Sequence, residues 1–220
     1  MRVTLTPPGD RDRDSDDDDD IVTTAIARAT GAPREAVRWS RSCPTCGSTE
    51  HGRPLVSRPR GVAVSMSRAA GVLAVAVLTG TALTDGETSD DVSLGLGVDI
   101  ESVADVARHD VDAVLVHPLE VAEVGPRRTE GGRIARARLW VAKEAALKAA
   151  GIGLRTEPAT VRVTAGGPED PESATTDSGA SIRFFAAGDG LAGAVAVVGP
   201  GGDAIGGAAG LELELELELF

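Results

Sequence analysis

Ile21 to Thr30 reads as a short helix that stops around Gly31-Ala32-Pro33, and Arg34 to Ser40 leads into a loop through Cys43, Cys46, His51, Gly52, Arg53 and Pro54. Val62 to Ser67 and Val72 to Leu78 predict two strands joined by a turn at Arg68–Gly71, followed by a polar linker from Thr79 to Ser93. A second half opens at Leu94. It holds a strand around Asp99, a loop or helix through Val116, a helix from about Gly132 to Ala150, and strands at Thr160–Thr164, Ser181–Phe185 and Ala192–Val198. Gly166 to Gly179 is a Pro-, Ser- and Asp-rich loop. Leu211 to Phe220 alternates strictly between apolar and acidic, the pattern of an amphipathic strand and a pairing hazard if its edge is left open. Each half thus carries a helix followed by strands, without a clear sequence repeat between them.

Composition adds an aliphatic core. There is no Tyr, and the aromatic residues are Trp39, Trp140, Phe184, Phe185 and Phe220. The net charge of −12 is concentrated at the two ends of the 220-residue chain. Asp10 to Asp20 contributes −6 and the Leu-Glu repeat −4, so the remainder sits near −2. That balance gives no indication of nucleic-acid binding. The like-charge run Asp16–Asp20 reads as part of a disordered leader. No signal peptide is visible, and the longest apolar stretch, Ala69 to Leu78, is too short to span a bilayer, so a cytoplasmic protein without a membrane partner is expected.

Two short segments carry candidate chemistry. In Gly97-Val98-Asp99-Ile100-Glu101, a strand would project Asp99 and Glu101 to one face and turn Val98 and Ile100 to the other. In Trp140-Val141-Ala142-Lys143-Glu144-Ala145-Ala146-Leu147-Lys148, closed by Gly151-Ile152-Gly153, Glu144 and Lys148 share a helix face. If that face meets the strand, Asp99, Glu101 and Glu144 form a carboxylate cluster that repels itself unless a cation enters. Mg²⁺ suits such a site, because it prefers carboxylates, waters and substrate phosphates together. The same residues allow a plainer reading, with Glu144–Lys148 an ordinary helix pair and Asp99 and Glu101 an edge-strand charge device. Cys43 and Cys46 stand at C-x-x-C spacing. They are two free thiols in a loop, or half of a zinc site with His51 as a third ligand and no evident fourth. His109 and His117 fall outside any ligand pattern and are expected at the surface.

The two segments, in this order and roughly 40 residues apart, resemble the paired signature of the 4′-phosphopantetheinyl transferases. The resemblance runs from about Ile21 to Val198. His51-Gly52-Arg53-Pro54 is similar to the family's coenzyme A loop, and Val64-Ser65-Met66-Ser67-Arg68 to a strand that ends in a Ser-His pair, with Arg68 in place of His. The acidic run Asp16–Asp20 stands where two-lobe relatives carry basic residues. Length favours the two-lobe type that activates surfactin synthetase over the shorter, trimeric acyl-carrier-protein synthases. The implied architecture is α+β, two similar lobes of helix on antiparallel sheet. The expected divisions are an acidic leader (1–20), an N-terminal lobe (21–93), a C-terminal lobe with the Mg²⁺ site (94–200) and a tail (201–220), in a monomer.

The resemblance implies Mg²⁺-dependent transfer of 4′-phosphopantetheine from coenzyme A to a serine of an apo carrier protein, with release of 3′,5′-ADP. Carriers of fatty-acid, polyketide and nonribosomal-peptide synthases are the partner class. It implies Asp99, Glu101 and Glu144 as metal ligands, Glu144 as the base, Lys148 as the phosphate-stabilising cation and Lys143 as its possible helper. Arg53, Pro54, Ser67 and Arg68 would contact coenzyme A. Glu120, between the motifs, is a weaker candidate base. Arg127, Arg128, Arg133, Arg136 and Arg138 form either a carrier-binding surface or a solvated helix face. The competing function is a catalytically impaired relative that acts as a binding module.

Overall fold

A computed structural model of the chain describes residues 1–6, 15–43, 45–79, 94–199 and 216–219. The strands are β1 (Arg2–Leu5), β2 (Arg38–Ser42), β3 (Arg53–Arg58), β4 (Val62–Ala69), β5 (Val72–Thr79), β6 (Gly95–Ser102), β7 (Val163–Ala165), β8 (Ser173–Thr176), β9 (Ser181–Ala186), β10 (Leu191–Val198) and β11 (Glu216–Leu219). The helices are α1 (Ser15–Thr30), α2 (Val103–Arg108), α3 (Asp112–Leu115) and α4 (Glu130–Ala149).

A common topology underlies both halves. Each begins with a strand, crosses through a long helix, and returns as an antiparallel hairpin whose second strand pairs with the opening strand. The orders are β1-β5-β4 in the first half and β6-β10-β9 in the second. The first sheet gains β11, parallel to β1, and the second gains β8 and β7. The expected α+β architecture of two similar lobes is therefore present.

Strand periodicity explains the layering. In β5, Leu73, Val75 and Val77 face Val22 and Ile26 of α1, while Ala74, Ala76 and Leu78 face the other sheet. Between the sheets they meet Leu96, Val98 and Ile100 of β6 and Val195 and Val197 of β10. On the far side, Ala142, Ala145 and Ala149 of α4 pack against Ala194 and Ala196 of β10. The order is helix, sheet, sheet, helix. A strand buried on both faces reads as a continuous apolar run, and β5 does.

Two glycines set the distance between α4 and β6. A Cβ on Gly97 would lie 2.0 Å from the Ala145 carbonyl oxygen, and one on Gly95 2.0 Å from that of Ala149. Only hydrogen side chains let the helix backbone lie directly on this strand. The next residues on the same face of β6 are Asp99 and Glu101, so the glycine contact delivers α4 onto the acidic end of the strand.

Several expectations are corrected. The acidic run expected to be disordered forms the opening of α1, which begins at Ser15 and not at Ile21. Carboxylates suit the positive end of a helix, and three of these have a cationic partner: Asp18 pairs with Arg68, Asp19 with Arg41 at 2.7 Å, and Asp20 with Arg34. Arg2–Leu5, inside the same expected leader, is β1. Residues 38–42 and 53–58 form a hairpin where only a loop was expected. Its exposed polar faces hide the strand pattern, while Trp39 anchors it, donating from Nε1 to Thr23 Oγ1 of α1 at 3.0 Å. The loop at Gly166–Gly179 contains β8, and the strand expected at Thr160–Thr164 is β7, shorter and later. Of the alternating tail, 216–219 form β11 against β1; the linker residues 80–93 lie outside the described residues.

Candidate active site

The first strand of the second half and the long helix bring the acidic residues together. Asp99 is buried on β6, and its Oδ1 accepts hydrogen bonds from Lys148 Nζ and from Ser67 Oγ, both at 2.7 Å. Lys148 Nζ also donates to the Val98 carbonyl at 3.1 Å. Ser67 sits on β4 and accepts from the Ile100 N–H at 3.3 Å, so one hydroxyl ties strand, neighbouring strand and carboxylate together. Ser65, two residues earlier on the same face, accepts from the Val98 N–H at 3.0 Å. Here β4 and β6, the edge strands of the two sheets, are joined through serine hydroxyls in place of a main-chain ladder.

Glu144 faces this cluster from α4. Its side chain is buried, and Oε1 has no hydrogen-bond partner among the described residues. Burial first, and then the neighbouring Asp99, push its carboxyl up to about 7, against the favourable pull of Lys148. Glu101, half-buried, is also raised, first by burial and then by Asp99, although its Oε1 accepts the Ser102 N–H at 2.8 Å. Two carboxyls raised by burial and by the nearby Asp99, around an orphaned buried oxygen, make a cation-demanding site. The donor set is all oxygen, the chemistry that suits Mg²⁺ over softer metals, while the three carboxylates are not gathered within 4.8 Å of one another.

Lys148 links the acidic cluster to a cleft of about 530 Å³. Arg53, Pro54, Ser65 and Gly151 line it, with Arg155 adding a third cation beside Arg53 and Lys148. Arg155 was not singled out in the sequence; a basic residue two positions beyond the Gly151–Gly153 exit of α4 is the signal that marks it. A cationic cleft ending at a carboxylate cluster is suited to a ligand with several phosphates, one of them at the acidic end.

Residues 95–196 match the family model of the 4′-phosphopantetheinyl transferase superfamily. Asp99, Glu101, Glu144 and Lys148 all lie inside the matched segment, whereas Arg53, Pro54, Ser67 and Arg68 come from the preceding half. A search of curated proteins finds no match. Among solved structures, the segment is similar to the holo-[acyl-carrier-protein] synthase AcpS from Neisseria meningitidis, at 20% identity, covering 47% of this chain and 95% of that one, with a TM-score of 0.35.

Three expected residues stand apart from the acidic cluster. Lys143 is fully buried. Its Nζ donates to Glu120 at 2.7 Å and to the Leu115 carbonyl at 2.6 Å, so it is committed to the core below α3 and does not face the cleft. Glu120, the weaker base candidate, is equally buried and receives the N–H groups of His117 and Val163 as well, a structural hub with no free oxygen. Adjacent helical residues point about 100° apart, which sends Lys143 away while Glu144 meets the strand. Arg68 is held by Asp18 at the start of α1. Of the five arginines on and before α4, Arg136 is buried in a bidentate pair with Asp112 at 2.7 and 2.8 Å. Arg128 and Arg133 are exposed, and Arg138 stacks on Phe184 at 4.0 Å.

Proposed function

We propose that the protein transfers 4′-phosphopantetheine from coenzyme A to the serine hydroxyl of an apo carrier protein. The observation that carries this reading is the placement of Lys148, which lines the cationic cleft and bonds Asp99 within the acidic cluster. The cleft takes the phosphates of coenzyme A on Arg53 and Arg155, and Lys148 places the pyrophosphate beside Asp99, Glu101 and Glu144. Those three carboxylates would hold Mg²⁺, which supplies Lewis-acid stabilisation and orients the pyrophosphate. The serine oxygen bonds to the β-phosphorus as the bond to the 3′,5′-ADP oxygen breaks. The serine proton passes to Glu144. Lys148 balances charge on the transferring group.

The repeated lobe topology supports the two-lobe kind of transferase, acting as a monomer. A groove of about 940 Å³ on the second lobe, lined by Ile134, Phe184 and Leu191 with Arg133 and Arg138 balanced by Glu130 and Glu172, offers a largely apolar surface to a helical carrier. A second reading, the impaired relative that binds without catalysis, is favoured by the Arg68–Asp18 pair, which sets a carboxylate beside an arginine otherwise available to the nucleotide.

The test mixes the protein with Mg²⁺, coenzyme A and apo carriers of fatty-acid, polyketide and peptide type, and weighs the carriers. A phosphopantetheine-sized gain that disappears in Glu144→Ala is the expected result. Mg²⁺-dependent coenzyme A binding by calorimetry without any mass gain would favour the second reading, and no binding at all would overturn both.

A further inference from the structure

A second group of metal-ligating side chains lies on the loop between β2 and β3. Cys43 Sγ, Cys46 Sγ and a ring nitrogen of His51 all lie within 4.8 Å of one another, and Cys46 Sγ is 3.4 Å from His51 Nε2. A tetrahedral zinc ion with ordinary bond lengths sets its sulfur and nitrogen donors about 3.5 to 3.8 Å apart. The three atoms need only a small inward movement to share one ion.

The backbone is folded to bring them there. The Cys43 N–H donates to the Ser48 carbonyl and the Gly47 N–H to the Cys43 carbonyl, each at 2.9 Å. Gly47 takes φ 72°, and Gly52 takes φ 107° with its Cα pressed so close that a Cβ would lie 2.4 Å from the Ser42 carbonyl oxygen. This contact at Gly52 returns the chain beside Cys43 and sets His51 against the cysteines. Cys46 and His51 are exposed, so an ion has a path in.

We propose that Cys43, Cys46 and His51 bind a zinc ion, with water in the fourth position, and that the ion clips the β2–β3 loop so as to hold Arg53 at the cleft. Two thiolates and an imidazole select zinc over magnesium, so this centre is chemically separate from the carboxylate site. Arg53 follows Gly52 directly, and Thr45 and Gly52 line the same cleft as Arg53. Closing the loop on a metal removes its conformational freedom before any ligand arrives. The metal site stands on its own residues and does not depend on the reaction proposed above.

The full chain, purified under reducing conditions without chelator, is expected to carry one zinc per molecule. Titration of metal-free protein with cobalt is expected to give thiolate-to-cobalt charge-transfer absorption and the d–d bands of a tetrahedral centre. Cys46→Ser and His51→Gln should each weaken zinc in competition with a chromophoric chelator by about 100-fold or more, beyond what loss of a supporting partner costs. Glu50→Gln should bind as the wild type does. Chelation should speed hydrogen exchange in residues 43–53 and leave β6 unchanged. Reduced wild-type protein that takes up neither zinc nor cobalt would overturn the proposal without recourse to any variant. Full zinc occupancy in Cys46→Ser would do the same, as would a Cys43–Cys46 disulfide that, once reduced, binds no metal.

Discussion

At the scale of single residues, Glu144 and Lys143 show how neighbours in sequence take opposite roles. Glu144 keeps its proton to about pH 7 in the native state, whereas an ordinary glutamate loses it near 4.5. The native state therefore binds more protons between those values. Stability without a divalent cation should fall as pH rises through that window and level off above it. Glu144→Gln removes this slope. Measured by urea unfolding in chelator, the variant's advantage over wild type should grow by about 1–3 kcal/mol from pH 5 to pH 8. A flat difference would mean that the carboxyl is not buried as described. For wild type, added Mg²⁺ should restore stability at pH 8 and have little effect at pH 5, where the protonated carboxyl competes with the metal.

Lys143 answers to the core. Lys143→Met strands Glu120 as an unpaired buried acid and should cost about 3–5 kcal/mol in denaturant unfolding. Replacing Glu120 with Leu as well should recover part of the loss, because the second buried charge then leaves too. The sequence shows Lys143 beside Glu144 and nothing more. Which of the two meets the strand is decided by helix phase, and that phase becomes visible only when the strand is in place.

At the scale of elements, strand β6 and helix α4 were legible because both carry strong local signals, an alternating acidic strand and an uninterrupted Ala- and Leu-rich helix. The hidden elements are those whose formation depends on distant partners. β1 exists through pairing with β5, and β8 through pairing with β9. The first turns of α1 tolerate five consecutive aspartates because Arg34, Arg41 and Arg68 come from later in the chain to meet Asp20, Asp19 and Asp18. The packing of α4 on β6 gives a direct prediction at this scale. Gly97→Ala drives a methyl into the Ala145 carbonyl and should cost about 1–3 kcal/mol or more in thermal or urea unfolding. Because the helix must shift to make room, carboxylate separation should change, and Mg²⁺-dependent stabilisation should weaken more than fold stability alone requires.

For the whole molecule, the two halves repeat one topology and differ in what the opening strand presents to its helix. β6 offers two glycines, Asp99 and Glu101; β1 has Val3 and Leu5 in the core between the sheets, which leaves Arg2 and Thr4 for the other face. One half therefore bears the carboxylates, and the other contributes Ser67 and Arg53 across the junction. The candidate site was legible wherever its residues lie in the acidic strand and the helix. It was illegible where it depends on distant partners: Arg155 in the cleft and Ser65 and Ser67 as fasteners where the lobes meet, and Arg68 drawn to α1 within the first half.

Those fasteners make the junction a fault line. Eight residue pairs couple β4 to β5 and eight couple β10 to β6, but between β4 and β6 two side-chain hydroxyls take the place of a ladder. Sliding or cracking along this line breaks a pair of short tethers while every sheet stays whole. The Val98 and Ile100 amides, which point across it, should exchange with deuterium faster than the Asp99 and Glu101 amides, which point into the β10 ladder. Since Ser65 and Lys148 border the cleft as well, the hydroxyl tethers and the apolar core between the sheets together hold the molecule where a long ligand would have to enter.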